Sequence, residues 1–254
     1  MKIASFNING VRAAEKKGLF KWVEDEQIDF LGVQEVKANR DQIDLKFMED
    51  LGYEIYWHSA EKKGYSGVAV FSKRKADTVV LGMGNDKYDF EGRVIRTDYD
   101  DLSLLNCYFP SGSSGEERHV FKLDFLADFK KYVEELLETR KKLIVMGDYN
   151  IIHTEKDIHN PNRKHHPSGY RPEERKWMDE WFNLGFRDAY RKMHPEEINF
   201  SWWSYRANSR NKDKGWRIDY CSVSDPIQDK IISCVQQKEA FFSDHCPVVM
   251  EIDL

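Results

Sequence analysis

The chain has 254 residues, 41% hydrophobic and 13% aromatic, enough to bury a sizeable core in one large α/β unit. Its 39 Lys and Arg against 44 Asp and Glu give a formal net charge of −5, which argues against a protein that coats nucleic acid indiscriminately. No apolar run approaches the ~18 residues of a membrane span, and no basic-then-apolar secretory leader precedes the strand-like opening Lys2-Ile3-Ala4-Ser5-Phe6.

In chain order, the first predicted elements are strands over 2–7 and 29–34, short runs rich in Val, Ile and aromatics. Ile43, Phe47 and Leu51 then fall in register for a helix that ends at Gly52. Strands follow over 53–58, 66–72, 93–99 and 102–109. Ser114 and Glu117 resemble a capping box ahead of a helix whose apolar stripe is Phe125, Phe129, Val133 and Leu137. After a strand over 143–148, the polar, turn-rich stretch 158–170 reads as a surface loop. His165 and His166, with His153 and His159, have no familiar ligand spacing and read as solvent-exposed. A helix starts near Pro172, buries Trp177, Met178, Trp181 and Leu184, and stops at Gly185. A second surface loop covers 203–216, and strands over 217–223 and 246–252 close the chain. Few long helices and many strands favour packed sheets with helices on their outer faces. With no linker, repeat or low-complexity tract, 1–254 reads as a single domain. Cys107, Cys221, Cys234 and Cys246 lack paired spacing and read as buried free thiols.

The strand ends carry the chemistry. Asn7 and Asn9, Glu35, Tyr108, Asp148 and Asn150, Asp219, and Asp244 with His245 each stand at the end of an apolar run. Taken singly, each has a plainer reading: Glu35 as a solvated edge charge, Asp148 and Asn150 as an Asx turn, Asp244 and His245 as a turn cap, Tyr108 as core. If these ends meet at one rim, they form a polar cleft of carboxylate and amide oxygens with one imidazole and no thiolate. Such a set suits Mg²⁺ or Mn²⁺ better than zinc. It also suits phosphodiester hydrolysis, which needs a nucleophile, charge neutralisation on the phosphate oxygens and help for the leaving oxygen. Asp148 would deprotonate a water, Asn150 would hold it, Glu35 would carry the metal, and His245, fixed by Asp219, would donate to the phosphate.

Charge is patterned along the chain. Segment 203–217 has five cations (Arg206, Arg210, Lys212, Lys214, Arg217) against Asp213, and 160–176 has five against two acids. Both segments are local cationic patches in a chain of negative net charge. Trp202, Trp203 and Trp216 flank that loop as core residues or as a contact surface.

The motifs SFNINGVRA, LGVQEVKA, GYSGVAVFSK, NCYFPSG, VMGDYNI, GWRIDY and SDHCPV resemble the exonuclease III / apurinic–apyrimidinic endonuclease family of the DNase I-like group, from Ser5 to Val248. GYRPEERKWMD and SWWSYRANSRNKDKGWRIDY resemble its abasic-site branch. The resemblance implies a four-layer α/β sandwich, two mixed β-sheets face to face flanked by helices, with the active site at one rim. It implies Glu35 as principal metal ligand with Asn7 nearby, and Asp148, Asn150, Asp244 and His245 as further possible ligands. Tyr108 would contact the target phosphate and Asp219 would pair with His245. Tyr65, Lys164, Trp202, Arg206, Arg210, Lys212 and Trp216 would meet DNA, with Trp202 and Trp216 near the wall of a pocket for an extruded sugar. Lys164 and Pro167 stand where animal-type members carry asparagines, and Ser111 where some relatives have Asn. The implied activity is Mg²⁺-dependent hydrolysis 5′ to abasic sites in double-stranded DNA, leaving a 3′-hydroxyl, with 3′-5′ exonuclease or 3′-end-cleaning activity beside it. The alternatives are another phosphatase or phosphodiesterase of the superfamily and a DNA-binding module without catalysis. A monomeric, cytoplasmic bacterial or archaeal enzyme with no membrane association is expected.

Overall fold

The computed structural model describes residues 1–254, the side chain of Ala207 excepted. The strands are β1 (Lys2–Asn7), β2 (Phe30–Gln34), β3 (Glu54–His58), β4 (Val68–Ser72), β5 (Thr78–Leu81), β6 (Val94–Tyr99), β7 (Leu102–Tyr108), β8 (Lys142–Asp148), β9 (Phe186–Asp188), β10 (Asp219–Ser224), β11 (Ile231–Gln236) and β12 (Val248–Ile252). The helices are α1 (Val11–Lys16), α2 (Leu19–Asp25), α3 (Lys46–Asp50), α4 (Asp86–Asp89), α5 (Glu116–Thr139), α6 (Pro172–Asn183) and α7 (Ala189–Met193). Six strands pair in the order β11-β12-β1-β2-β4-β3, and six in the order β5-β6-β7-β8-β10-β9. The β1/β2 and β7/β8 pairs are parallel and the rest antiparallel, so both sheets are mixed.

Side chains alternate across a strand, and the cores sort accordingly. Ala4, Phe6, Leu31 and Val33 pack with Val11, Leu19, Val23 and Met48 of the helices outside the first sheet. Leu105, Cys107, Leu143 and Val145 pack with Phe125, Phe129, Trp177 and Trp181 of α5 and α6 outside the second. Ile3, Phe30, Leu104, Ile144, Met146, Cys221, Val248 and Met250 fill the space between the sheets. The result is the four-layer α/β sandwich. The same alternation sends Asn7, two residues beyond Ser5, and Asp148, two beyond Met146, into the gap between the sheets where the strands run out.

All nine predicted strands are present, with boundaries within two residues. The edge strands β5, β9 and β11 lie outside the predicted set; β5 and β11 keep several side chains in solvent, which blurs their apolar pattern. Helix α6 starts at Pro172 and ends before Gly185 at φ +107, as predicted. Two expectations are corrected. The Ser114–Glu117 capping box does not form, because Gly115, at φ 120, is the non-helical N-cap and the helix starts one residue later. Ile43, Phe47 and Leu51 do not share one helical face. The 3₁₀ turn Arg40–Gln42 leads to an extended Ile43, and α3 buries Met48 while Phe47 is 44% exposed. All four cysteines are free and buried.

Candidate active site

Because β1 and β2 are parallel, and so are β7 and β8, Asn7, Glu35, Tyr108 and Asp148 leave their strands at the same rim. The antiparallel β10 brings its first residue, Asp219, directly opposite Asp148. A bridge between Trp202 and His245 sets the segment before β12 beside them. Glu35, Tyr108, Ser111, Asp148, Asn150, Ser168, Trp202, Trp216, Ile218, Asp244 and His245 line one cavity of about 360 Å³. A cavity of about 450 Å³ opens at Phe30, Tyr99 and Leu102, where β2 and β7 begin and β6 ends; it lies at the opposite rim, away from this cluster.

Asn7 bridges the two carboxylates. Its Nδ2 donates to Glu35 Oε1 at 2.8 Å and to Asp148 Oδ2 at 2.9 Å, while its oxygen accepts the Asn9 N–H. Asn150 donates its backbone N–H to Asp148 Oδ1 at 2.8 Å and its Nδ2 to Phe109 O at 2.9 Å and Asp148 Oδ2 at 3.3 Å. His245 Nδ1 lies 2.9 Å from Asp219 Oδ2, and its Nε2 faces Asp148 Oδ2 at 3.9 Å. Ser201 Oγ donates to Asp219 Oδ2 at 2.6 Å and itself accepts the Ile218 and Asp219 N–H groups.

Burial pushes Asp148 up to about 7; the Asp219 charge adds to this, and His245 opposes it. Burial works against the charged form of His245, but the Asp219 carboxylate, seconded by Asp148, raises it to about 10. Burial also raises the Tyr108 phenol well above its usual range, with Glu35 adding, so it stays protonated as a donor. Burial opposes ionisation of Glu35, yet Lys37 and Asn7 hold it below the usual carboxylate range. The cluster therefore separates one good proton acceptor, Asp148, from two proton-bearing groups.

Strain collects here. Asn9 (φ 47), Glu35 (φ 54), Lys37 (φ 53) and Asn150 (φ 53) are all left-handed, at about 1–3 kcal/mol each for such backbones. The turn around Glu35 is held by Gly10 N–H to Glu35 O at 2.8 Å and Lys37 N–H to Ser66 O at 2.9 Å. Among the described residues, Glu35, Asp148 and His245 form the one His/Cys/acid group with ligand atoms all within 4.8 Å of one another. An oxygen-rich set without thiolate fits a hard divalent cation.

The structure also distributes the remaining expected residues. Asp244 lines the cavity, but its oxygens accept from Asn9 Nδ2 at 2.9 Å and Trp202 Nε1 at 3.0 Å, outside that ligand group. Trp202 and Trp216 stand 5.0 Å apart at the cavity wall, whereas Trp203 is buried. The Tyr65 hydroxyl accepts from Arg93 at 3.1 Å and Arg118 at 2.8 Å. Lys164, Arg206 and Lys212 are exposed. Arg210 turns inward, donates to the carbonyls of Ser243 (2.9 Å), His245 (3.4 Å), Lys238 (2.6 Å) and Ala240 (3.1 Å), and lies against the Trp203 and Phe241 rings. It braces the segment that carries His245. Sequence reasoning gave no role to Ser201, although it opens the motif SWWSYRANSRNKDKGWRIDY. It also missed Lys37, visible in LGVQEVKA, whose ammonium lies 2.7 Å from Glu35 Oε2. Arg93 went unnoticed too; its guanidinium sits 4.8 Å from the Tyr108 ring centre and donates to Tyr108 O at 2.9 Å.

Residues 4–245 match the Endonuclease/Exonuclease/phosphatase family. The chain is 37% identical to an exodeoxyribonuclease of Bacillus subtilis (strain 168), with both chains covered in full. It is 34% identical to DNA repair nuclease APEX1 of Danio rerio over 98% of this chain and 81% of that one. Among solved structures, a 3′-5′ exonuclease from Neisseria meningitidis has a TM-score of 0.93 at 26% identity, each chain covered in full. An AP endonuclease from Archaeoglobus fulgidus has a TM-score of 0.91, also at 26% identity with full coverage of both chains. On sequence, fold and site together, the chain belongs to the Endonuclease/Exonuclease/phosphatase family and is an enzyme of the exodeoxyribonuclease III / AP endonuclease type.

Proposed function

We propose that the protein is a DNA repair nuclease that hydrolyses the phosphodiester 5′ to an abasic site in duplex DNA and leaves a 3′-hydroxyl. In this reading residues 1–254 form one catalytic domain, working as a monomer in the cytoplasm with Mg²⁺, or Mn²⁺ in its place. The observation that carries it is the Asp148 carboxylate held between Asn7 and Asn150, facing a His245 charged by Asp219, in a cavity walled by Trp202 and Trp216.

Each side chain has a task there. Asp148 takes the proton of the attacking water; a pKa of about 7 keeps it both ionised and basic near neutral pH. Asn150 fixes the carboxylate, with its N–H on Oδ1 and its Nδ2 on Oδ2. His245, charged, and Tyr108, protonated, donate to the phosphate oxygens as charge builds on them. A charged imidazole is a donor rather than a ligand, so Glu35 and Asp148 would hold the ion. Once bound, the ion neutralises the phosphate and polarises it for attack. Asp244 orients Trp202 through its indole N–H. The aromatic wall favours a sugar without a base, which also flips out of a duplex more easily than an intact nucleotide.

A nicking assay on abasic and intact plasmid, with Mg²⁺ and with chelator, tests the reading. Nicking of abasic plasmid in Mg²⁺ alone is expected. Full activity in chelator removes the metal, and equal nicking of both plasmids removes the abasic preference. The Neisseria relative, solved as a 3′-5′ exonuclease and as a 3′ phosphatase bound to product DNA, supports a second activity of the same site on 3′ ends. Release of phosphate from a 3′-phosphorylated hairpin measures it.

A further inference from the structure

Outside the cavity, Lys122 and Glu174 form one of two fully buried ion pairs, Arg217 with Asp157 being the other. Lys122 lies in the second turn of α5 and Glu174 in the first turn of α6, with Nζ and Oε1 2.6 Å apart. A buried ion pair gives a fold little that an apolar pair of the same volume would not. What distinguishes this one is where its other bonds go. Lys122 Nζ donates to the Asn150 carbonyl at 2.7 Å. Glu174 Oε2 accepts the backbone N–H groups of Gly169 at 2.7 Å and Arg171 at 2.9 Å. The Gly169 carbonyl in turn accepts the Ile152 N–H at 2.6 Å. Gly169, at φ +94, sits so close that a Cβ there would lie 3.0 Å from Asn150 O and 3.6 Å from the Trp216 ring.

The pair thus clamps the segment after Asp148 to the segment before α6. Asn150, Ser168 and Trp216, which these segments carry or pack against, line the cavity. Asn150 is in a left-handed conformation, and in that conformation its N–H and Nδ2 both reach Asp148. An unbraced asparagine would relax towards a right-handed or extended backbone and turn its amide away from the carboxylate.

We propose that Lys122 and Glu174 are positioning residues of the catalytic site, holding Asn150 on Asp148 from the interior side; this rests on the nuclease reading above. The pair acts on the geometry of the chemical step, not on the surface that meets duplex DNA.

The test pairs Lys122→Met with Glu174→Gln, two neutral replacements of similar volume, in the wild-type and Asn150→Ala backgrounds. The double variant is expected to fold and to lose about 10-fold or more in kcat on abasic duplex. Its duplex Kd in chelator should change by less than about 2-fold. In the Asn150→Ala background the same substitutions should cause no further loss, because residues that act through one another are not additive. A folded double variant with wild-type kcat overturns the proposal, and so does a full additive loss in the Asn150→Ala background. If the double variant does not fold, Glu174→Gln alone carries the test. It keeps an acceptor for Gly169 and Arg171 but loosens the hold on Lys122. A smaller kcat loss that vanishes in Asn150→Ala supports the proposal, and wild-type kcat overturns it. Failure of the nuclease reading looks different: the wild-type protein itself then leaves abasic duplex uncut.

Discussion

At the residue scale, the charge state of His245 depends first on Asp219, with Asp148 and Asp244 adding to it. Burial alone would discharge the ring, and the Asp219 carboxylate 2.9 Å from Nδ1 reverses that. Asp148 must be ionised to accept a proton, so the rate should rise with pH through about 7. His245 must be charged to donate, so the rate should fall above about 10. A bound divalent cation moves the acid limb lower. Asp219→Asn removes the charge that raises both groups, so both limbs should move to lower pH, the alkaline one by at least about 1 unit. A pH–rate profile at saturating Mn²⁺ checks this, and an unmoved alkaline limb refutes the role given to Asp219. Lys37 makes a second case. Its ammonium occupies Glu35 Oε2 at 2.7 Å, where a divalent cation would compete with it. Lys37→Met should therefore bind Mn²⁺ more tightly in calorimetry without DNA; equal or weaker binding would show that the two do not compete.

At the element scale, the strand ends meet because the two sheets are locked in register by buried amides. Asn106 on β7 donates across the gap to Val33 O at 3.0 Å and Ala69 O at 2.9 Å, and accepts from Gln34 Nε2 at 2.6 Å. Gly32 makes room for it, since a Cβ there would lie 2.8 Å from Asn106 Cγ and Met146 Cε. Gly32→Ala should force these side chains apart and destabilise the fold by about 1–3 kcal/mol, as overpacked cores do. Urea unfolding measures it, and an unchanged midpoint would mean that the gap can absorb the methyl group. Because Glu35 follows Gln34 directly, activity should fall along with stability.

At the scale of the whole molecule, the net charge of −5 conceals a local cationic surface. Arg206 and Lys212 are exposed, whereas Arg210 is tied to the carbonyls of Ser243, Lys238 and Ala240. Replacing Arg206 and Lys212 with Ala should flatten the salt dependence of duplex binding by up to about 2 in log–log slope, roughly 0.9 per phosphate contact. Arg210→Ala should instead lower Tm. An unchanged slope in the first variant would take this loop off the DNA. A second global property comes from Asp157, which is fully buried between Arg217 and Arg191 at 2.7 Å each. Burial opposes its charge, but the two arginines hold it well below the usual carboxylate range. Its folded pKa is depressed, so its contribution is full above the unfolded value of about 3.9 and fades as pH falls below that. Asp157→Asn should be less stable at pH 7 by about 3–5 kcal/mol, as for a broken buried pair. The gap to wild type should narrow on acidification from pH 5 to pH ~2.5. A gap independent of pH would show that the effect is not electrostatic.

By itself the sequence determined the sandwich and marked the polar strand ends that the structure brings to one rim. Strand-length apolar runs, the Pro172 start and Gly185 stop of α6, and polar residues at the strand ends are all local signals, because a strand's period and a helix's caps are written within a few residues. The motif run from Ser5 to Val248 then named the family. Short edge strands such as β9 escaped, since three residues carry no period. Only the tertiary structure decided what each polar group faces. Arg206 and Arg210 read alike in sequence, yet one is exposed and the other bound to four carbonyls. Ser201 and Lys122 show no partner in the local sequence, and those partners, Asp219 and Asn150, lie 18 and 28 residues away. Charge state, burial and donor geometry depend on neighbours brought in from distant strands, and no local pattern encodes those distances.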